Sequence, residues 1–324
     1  MSIILDILQD GTKWYAEINA WAKEHIDFLL ASVLVSLLLV IALIVAICKI
    51  IRIRRKSESK LAEKNMEIRE VNNKMLASVN YASRIQGAVI SSIVDVNAIF
   101  PENFVLYRPR DIVGGDYYRA IRCGRYSVMI TADCTGHGIP GALLSMLGIS
   151  ALREYMVTES DAENPGTVLD RMRTFVKSTL ATAGGGSLDD GMDMTICSFD
   201  FDKMEIRYAI ANQTALIIRG DEAIRLKGDA MPVGRYVREK EHFKTQVVSI
   251  EKGDMVYMFS DGLQDQLGGR ECRKYLLKNL TATLIDLHND PLNEQRVALE
   301  QEIIAWRGGT PQIDDMTMVG IRVG

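Results

Sequence analysis

YSVMITADCTGHGIPGALLSM, residues 126–146, is the stretch that decides how this chain reads. Tyr126 to Ala132 is rich in β-branched and apolar residues and predicts a strand. Gly136 and Gly138 break the pattern, and the apolar spacing after Pro140 predicts a helix over Gly141–Tyr155. Asp133 therefore stands at a strand end beside glycines. A strand end holds a side chain rigidly, and neighbouring glycines let backbone approach a bound ion closely.

Three more aspartates repeat that setting. Asp116 follows Gly114-Gly115, Asp261 ends MVYMFS and precedes Gly262, and Asp315 follows Asp314 just before the strand MTMVGI. Carboxylates in a chain with only 4 histidines suit a hard, oxygen-lined site for Mn²⁺ or Mg²⁺ rather than Zn²⁺. Two such ions, about 3.5–4 Å apart, generate a nucleophilic hydroxide and clamp a phosphoryl group for in-line attack. Each Asp-Gly taken alone is more often a plain turn. The chain separations of 17, 128 and 54 residues between these aspartates set no distance in space.

Around the four aspartates the pattern is α+β. Strands are expected near Phe104–Tyr107, Tyr117–Cys123, Met194–Phe199, Glu205–Ala211, Ala215–Arg219, Lys244–Ile250, Met255–Phe259 and Met316–Ile321. Tight turns such as Cys123-Gly124-Arg125 and Arg219-Gly220-Asp221 make much of the sheet antiparallel. Helices are expected over Pro165–Leu180, Arg270–Leu280 and Leu292–Trp306, and their placement between groups of strands excludes a doubly wound fold. Residues 101–324 suit one large domain.

The N-terminal part reads differently. FLLASVLVSLLLVIALIVAIC, residues 28–48, carries no charge and is long enough to cross a bilayer as a helix. Residues 1–27 hold five acids against two lysines, whereas Lys49, Arg52, Arg54, Arg55 and Lys56 follow the span. That asymmetry predicts a single-pass anchor in the cell membrane, with a short extracytoplasmic segment (1–27) and the catalytic part in the cytoplasm. Residues 49–100 read as a basic collar and helical linker. Leu61, Ile68, Met75, Ala82 and Val89 recur every seven residues, with Val71 and Ile85 at matching d positions. This predicts a weak parallel coiled coil and a homodimer, or a single amphipathic helix lying on the next domain. The chain has 324 residues and a net charge of −4, and shows no basic stripe with interleaved aromatics, so nucleic acid is not an expected partner. Five scattered cysteines without a C-x-x-C pair fit free thiols.

Six segments carry a resemblance. PRDIVGGDYY (109–118), ADCTGHGIPGALLSM (132–146), DDGMDMTICSFD (189–200), MPVGR (231–235), YMFSDGLQDQLGG (257–269) and QIDDMTMVGI (312–321) stand in the order seen in SpoIIE-like, RsbU-like PPM (PP2C-like) serine/threonine phosphatases. The chain resembles that family from SVNYASRIQGAVI (78–90) to its end, and its DCTGHGIPG and SDGLQDQLGG forms are similar to the membrane-bound, SiaA-type branch. The resemblance implies an α-β-β-α sandwich with two Mn²⁺ or Mg²⁺ ions at one end of the sheets. It implies that Asp133 bridges both ions, that the Cys134 carbonyl helps hold one, that Asp261 and Asp315 hold the other, and that Asp116 binds directly or through water. Asp133 and Asp116 are then the catalytic pair, while Asp190, Asp193 and Asp314 are outer candidates or ligands of a third ion, and equally solvated or turn-capping carboxylates. The implied substrate is a phosphoserine or phosphothreonine on a cytoplasmic regulatory protein of the STAS, anti-sigma-antagonist type. By the same analogy the linker helix couples dimer geometry to the metal site.

Three further readings stay open at this level. His137 is either a general acid or a loop-shaping residue, and Cys134 lacks the arginine-rich loop of a thiol phosphatase. IANQTA (210–215) departs from the Gly and Asn or His-Pro usual near this turn. GGDYY (114–118) invites a GGDEF-type diguanylate cyclase, but Tyr117 replaces the expected carboxylate, and an inactive phosphatase-fold binding module is the third class.

Overall fold

The computed structural model describes residues 2–90, 92–182 and 190–324. Asp189, at the head of the DDG motif, lies outside the described residues. Two compact units divide the chain, Met1–Met75 and Leu76–Gly324.

The first unit lies within one helix, α1 (Ser2–Val89), which includes the segment expected outside the membrane. It is long and apolar enough to cross a membrane, and the side chains of the apolar span are exposed. Further along, Leu61, Ile68, Val71 and Met75 are each more than half exposed, so the heptad stripe is unburied within this unit. The i,i+3 and i,i+4 pairs Arg54–Glu58, Lys64–Glu67 and Lys74–Glu70 flank it. Exposed pairs of this kind add only about 0.3–0.5 kcal/mol each.

In the second unit the last turns of α1 are followed by α2 (Ile93–Ile99), so the linker is two helices and not one. A capping box restarts the helix, with Ser92 and Asp95 bonding each other's backbone N–H. Three strands follow, β1 (Asn103–Arg108), β2 (Tyr117–Cys123) and β3 (Tyr126–Cys134), then α3 (Gly138–Tyr155), α4 (Glu159–Glu163) and α5 (Pro165–Thr182). The middle of the chain is β4 (Gly191–Asp200), β5 (Glu205–Ala211), β6 (Thr214–Arg219), β7 (Glu222–Leu226), β8 (Val233–Gly234), β9 (Gln246–Ser249) and β10 (Met255–Phe259). After α6 (Gly262–Asp265) and the short β11 (Leu267–Gly268) and β12 (Arg273–Lys274) come α7 (Leu277–Leu287), α8 (Leu292–Arg307) and β13 (Met316–Arg322).

One sheet runs β1-β13-β10-β6-β7 and the other β2-β3-β4-β5-β9, with β8 beside β4. Every named strand pair is antiparallel. Alternation along the first sheet shows how the layers form. Phe104, Leu216, Tyr257 and Met318 pack with Leu280, Leu284, Leu299 and Ile303 of α7 and α8. Their neighbours Val105, Ile217, Val256 and Val319 join the core shared with the second sheet, and α3 and α5 add Ile149, Leu152, Leu169 and Met172 to that core. Both sheets are thus covered on both faces, which is why β3 and β10 are buried almost throughout and read as unbroken apolar runs.

One expected helix is displaced. Residues 270–276 form a turn around β12, and the helix spans Leu277–Leu287 instead of Arg270–Leu280. Gly269, Cys272 and Leu276 all take positive φ, which no helix tolerates. The exposed β7 was not anticipated, because its sequence EAIRL lacks a clear alternation of apolar residues.

Candidate active site

Antiparallel register gathers the carboxylates. Tyr117 at the start of β2 pairs with Ala132 at the end of β3, so Asp116 and Asp133 leave the sheet at the same edge. Asp133 then pairs with Asp193 across β3 and β4. In the other sheet Phe259 at the end of β10 pairs with Met318 near the start of β13, which brings Asp261 beside Asp314 and Asp315. β1 also ends there, since Arg108 pairs with Met316.

Asp315 is buried and is bound by backbone. Its Oδ1 accepts from Arg110 N at 2.6 Å and its Oδ2 from Gly115 N at 2.6 Å. Asp116 is fully buried; its Oδ2 accepts from Ser260 Oγ at 2.6 Å, and its Oδ1 makes no geometric hydrogen bond. The Gly114-Gly115 turn has to be glycine. A Cβ on Gly114 would stand 2.7 Å from Asp315 Oδ2, and one on Gly115 would stand 2.9 Å from the Cys134 carbonyl oxygen and 2.8 Å from that of Gly136.

The cluster is electrostatically overcrowded. Burial first, then the charges of Asp116, Asp261, Asp314 and Asp193, push Asp133 well above the usual carboxylate range. Burial also raises Asp116, opposed by the hydroxyls of Ser260 and Thr317, with Asp315 and Asp314 adding to the rise. Asp193 is pushed up to about 6 by burial and by Asp261, against a 2.7 Å bond from Asn212 Nδ2. Asp261 is raised by desolvation, Asp265 and Asp314 although its side chain reaches solvent, and Asp314 by burial and Asp315. The Asp133 carboxyl and the Asp315 N–H oppose these shifts, with Lys274, His137 and Arg110 adding to that opposition from the rim. Among the described residues no three of these side chains already surround one point. The donor set still fits divalent cations: buried Asp116 and Asp315 and half-buried Asp133, Asp193 and Asp314 crowd together with Asp261 at the exposed rim, one Asp116 oxygen makes no geometric hydrogen bond, and the surrounding cations are few.

The family description for Stage II sporulation protein E (SpoIIE) matches residues 123–324, more than half of the chain. The chain belongs to the SpoIIE family. Its globular unit is a PP2C-type serine/threonine phosphatase domain. The structure is similar to the SiaA PP2C domain of Pseudomonas aeruginosa, with a TM-score of 0.71 and 28% identity over 78% of this chain and 98% of that one. The PP2C phosphatase domain with a regulatory-domain fragment of SpoIIE from Bacillus subtilis gives a TM-score of 0.55 at 18% identity, over 68% of this chain and 62% of that one. The RsbU and RsbW domains of a Mycobacterium tuberculosis protein give 0.55 at 19%, over 69% and 60%. No curated protein sequence matches the chain. The GGD at 114–116 precedes the matched residues and leads into β2, which pairs along its length with β3 inside them.

Of the residues singled out from the sequence, Asp116, Asp133, Asp261 and Asp315 come together, and Asp193 and Asp314 join them. The Cys134 backbone borders the Gly115 turn, while its thiol is buried and pushed far up by burial and by Asp133. Asp190, half-buried before β4, has no hydrogen bond or ion pair to the group among the described contacts. His137 sits at the head of α3, exposed, with Nδ1 3.1 Å from Asp111 Oδ2, which ties the loop after β1 to that helix. The 210–214 turn does touch a candidate after all, because Asn212 takes a left-handed φ of 56° and its side chain bonds Asp193.

Sequence reading missed the supports. Ser260 bonds Asp116 and accepts from Thr317 N at 3.0 Å, joining both sheet ends. Gln266, fully buried, accepts from Ile313 N and donates to the Pro311 carbonyl, fixing the approach to Asp314. Gln86, near the end of α1, donates to the Gly114 carbonyl at 2.6 Å and to Ser145 Oγ at 2.8 Å. All three lie inside quoted motifs, so the available signal was a polar residue amid apolar neighbours.

Proposed function

We propose that this chain is a membrane-anchored, divalent-cation-dependent phosphatase that removes phosphate from serine or threonine of a cytoplasmic regulatory protein in bacterial signalling. The observation that carries the reading is the convergence of mutually repelling aspartates, two buried, three half-buried and Asp261 at the rim, with an Asp116 oxygen in no geometric hydrogen bond, at one end of the sandwich. Asp133, the Cys134 carbonyl, Asp261, Asp315 and Asp116 are the groups that would hold Mn²⁺ or Mg²⁺ there, Asp116 directly or through water. Asp193 and Asp314 adjust the charge of this set, with Asp190 outside it. Bound cations supply a hydroxide at neutral pH and neutralise the phosphoryl oxygens. The protein's own part is positional: Ser260 orients Asp116, and the Arg110 and Gly115 amides hold Asp315.

The uncharged 28–48 segment followed by five bases supports anchorage in the bacterial cell membrane with the phosphatase domain inside. The exposed Leu61, Ile68, Val71 and Met75 stripe supports a parallel coiled-coil homodimer. A STAS-type phosphoprotein as substrate rests on the family resemblance.

The test is hydrolysis of p-nitrophenyl phosphate and a phosphoserine peptide by the detergent-solubilised full chain with Mn²⁺. Turnover is expected with metal, none with chelator, and a loss of about 10²-fold or more in Asp133→Asn and Asp261→Asn. Full activity in either variant refutes the assignment, and no turnover by the unaltered protein would make it a binding module.

A further inference from the structure

Beside the aspartate cluster lies an open groove of about 860 Å³, lined by Tyr107, Arg108, Arg110, Asp111, Arg307 and Gln312 among others. Its size is within the range of roughly 300–1,000 Å³ typical of ligand clefts. It shares walls with the site. The Arg110 amide holds Asp315, Asp111 contacts His137, and Gln312 Nε2 donates to the Asp314 carbonyl at 2.7 Å.

The charges along it are unequally committed. Arg108 is bound to Glu300 at 2.7 Å, and Glu300 also meets Arg296. Arg110 and Arg307 are in no salt bridge among the described residues. Arg110 is exposed and uses Nη1 on the Ile313 carbonyl at 3.1 Å, and its charge reaches Asp314 only at a distance. Arg307, in the last turn of α8, keeps a buried Nε without any hydrogen-bond partner. The one acid in the lining, Asp111, is engaged by His137. Arg110, exposed, and Arg307, half-buried, therefore line the groove without a carboxylate partner among the described residues, next to a site rich in carboxylates. A guanidinium is built for bidentate capture of carboxylates.

We propose that this groove is a specificity site for the substrate protein: Arg110 and Arg307 bind acidic side chains that flank the phosphorylated residue while the phosphate lies at the aspartate cluster. This rests on the phosphatase reading above. It places sequence selection on the loop after β1 and the end of α8, away from the residues that hold the metals. It also explains how an acidic centre draws in an acidic phosphopeptide, because the attraction comes from the rim.

The experiment uses the full chain in detergent with Mn²⁺ and two phosphoserine peptides, identical except for glutamate or glutamine at the flanking positions. The glutamate peptide is expected to have the higher kcat/KM by about fivefold, as two partly exposed ion pairs allow, with the difference in KM and lost at high salt. Arg307→Glu and Arg110→Glu should each reduce or invert that preference, and Arg307→Lys should retain most of it. Because both peptides are measured on one preparation, the ratio is unaffected by partial misfolding of a variant. A wild-type ratio of one, or a preference that survives both charge reversals, overturns the groove while p-nitrophenyl phosphate turnover leaves the phosphatase reading standing. If the wild type cleaves neither peptide nor p-nitrophenyl phosphate, both fall together.

Discussion

Replacing Ser260 by alanine isolates the contribution of one hydroxyl to the site. In the native protein this hydroxyl donates to Asp116 Oδ2 at 2.6 Å and accepts from Thr317 N at 3.0 Å, and both Ser260 and Asp116 are buried. Asp116 Oδ1 makes no geometric hydrogen bond, so the variant leaves only the nearby Thr317 hydroxyl to favour the charged carboxylate in a buried site. A hydrogen bond to a charged group contributes about 1.5–3 kcal/mol, and a stranded backbone N–H costs about 1 kcal/mol more. Asp116 should then bind a proton more tightly and a cation less tightly. Loss of such an outer partner lowers metal affinity or activity by about 10–100-fold. The Mn²⁺ concentration for half-maximal p-nitrophenyl phosphate hydrolysis should rise by that factor. Melting of the metal-free protein should move down by roughly 5–16 °C, since each kcal/mol shifts a domain of this size by about 2–4 °C. Unchanged Mn²⁺ dependence together with an unchanged melting temperature would refute the reasoning, because it would mean that Asp116 does not need this donor.

The remaining predictions follow from the same geometry. Burial raises Asp193 to about 6 and Asp116 to about 7 from 3.8, so the metal-free folded state holds more protons than the unfolded chain in that window. Its stability should therefore fall as pH rises from about 4 to 7, and the melting shift on adding Mn²⁺ should grow over the same range. Differential scanning fluorimetry at pH 5 and pH 8 checks this, and a larger shift at pH 5 contradicts it. Gln86→Leu keeps the side-chain volume but strands the Gly114 carbonyl, and it should cut kcat more than KM for p-nitrophenyl phosphate by loosening the turn before Asp116. Equal kinetics would show that this contact is only packing. For the linker, Met75→Cys should cross-link two copies in membranes whereas Asn73→Cys, at the outer heptad position, should not; equal cross-linking counts against the coil.

Local features were legible because their causes are local. Strands Tyr117–Cys123, Glu205–Ala211 and Met255–Phe259 carry the boundaries expected from their apolar runs and flanking turns, and the α+β class follows from their order. The uncharged span and its basic collar were equally plain, since length and charge suffice to define them. The displaced α7 was not, because positive φ at Cys272 and Leu276 is a backbone state that their residue types do not signal. Asn212 belongs to the same class, a left-handed residue whose side chain finds Asp193 only once β5 lies beside β4.

From its motifs the chain specifies a SpoIIE-family domain and which aspartates are candidates, because each sits at a strand end that local pattern defines. Tertiary structure alone decides which of them meet. Antiparallel register brings Asp116, Asp133 and Asp193 to one end of the second sheet and Asp261, Asp314 and Asp315 to the facing end of the first, while Asp190 remains apart. It also decides that Ser260 supports Asp116 and that Arg110 and Arg307 share a groove. These pairings join residues 144 and 197 positions apart, and only closure of the two sheets over a common core sets such distances.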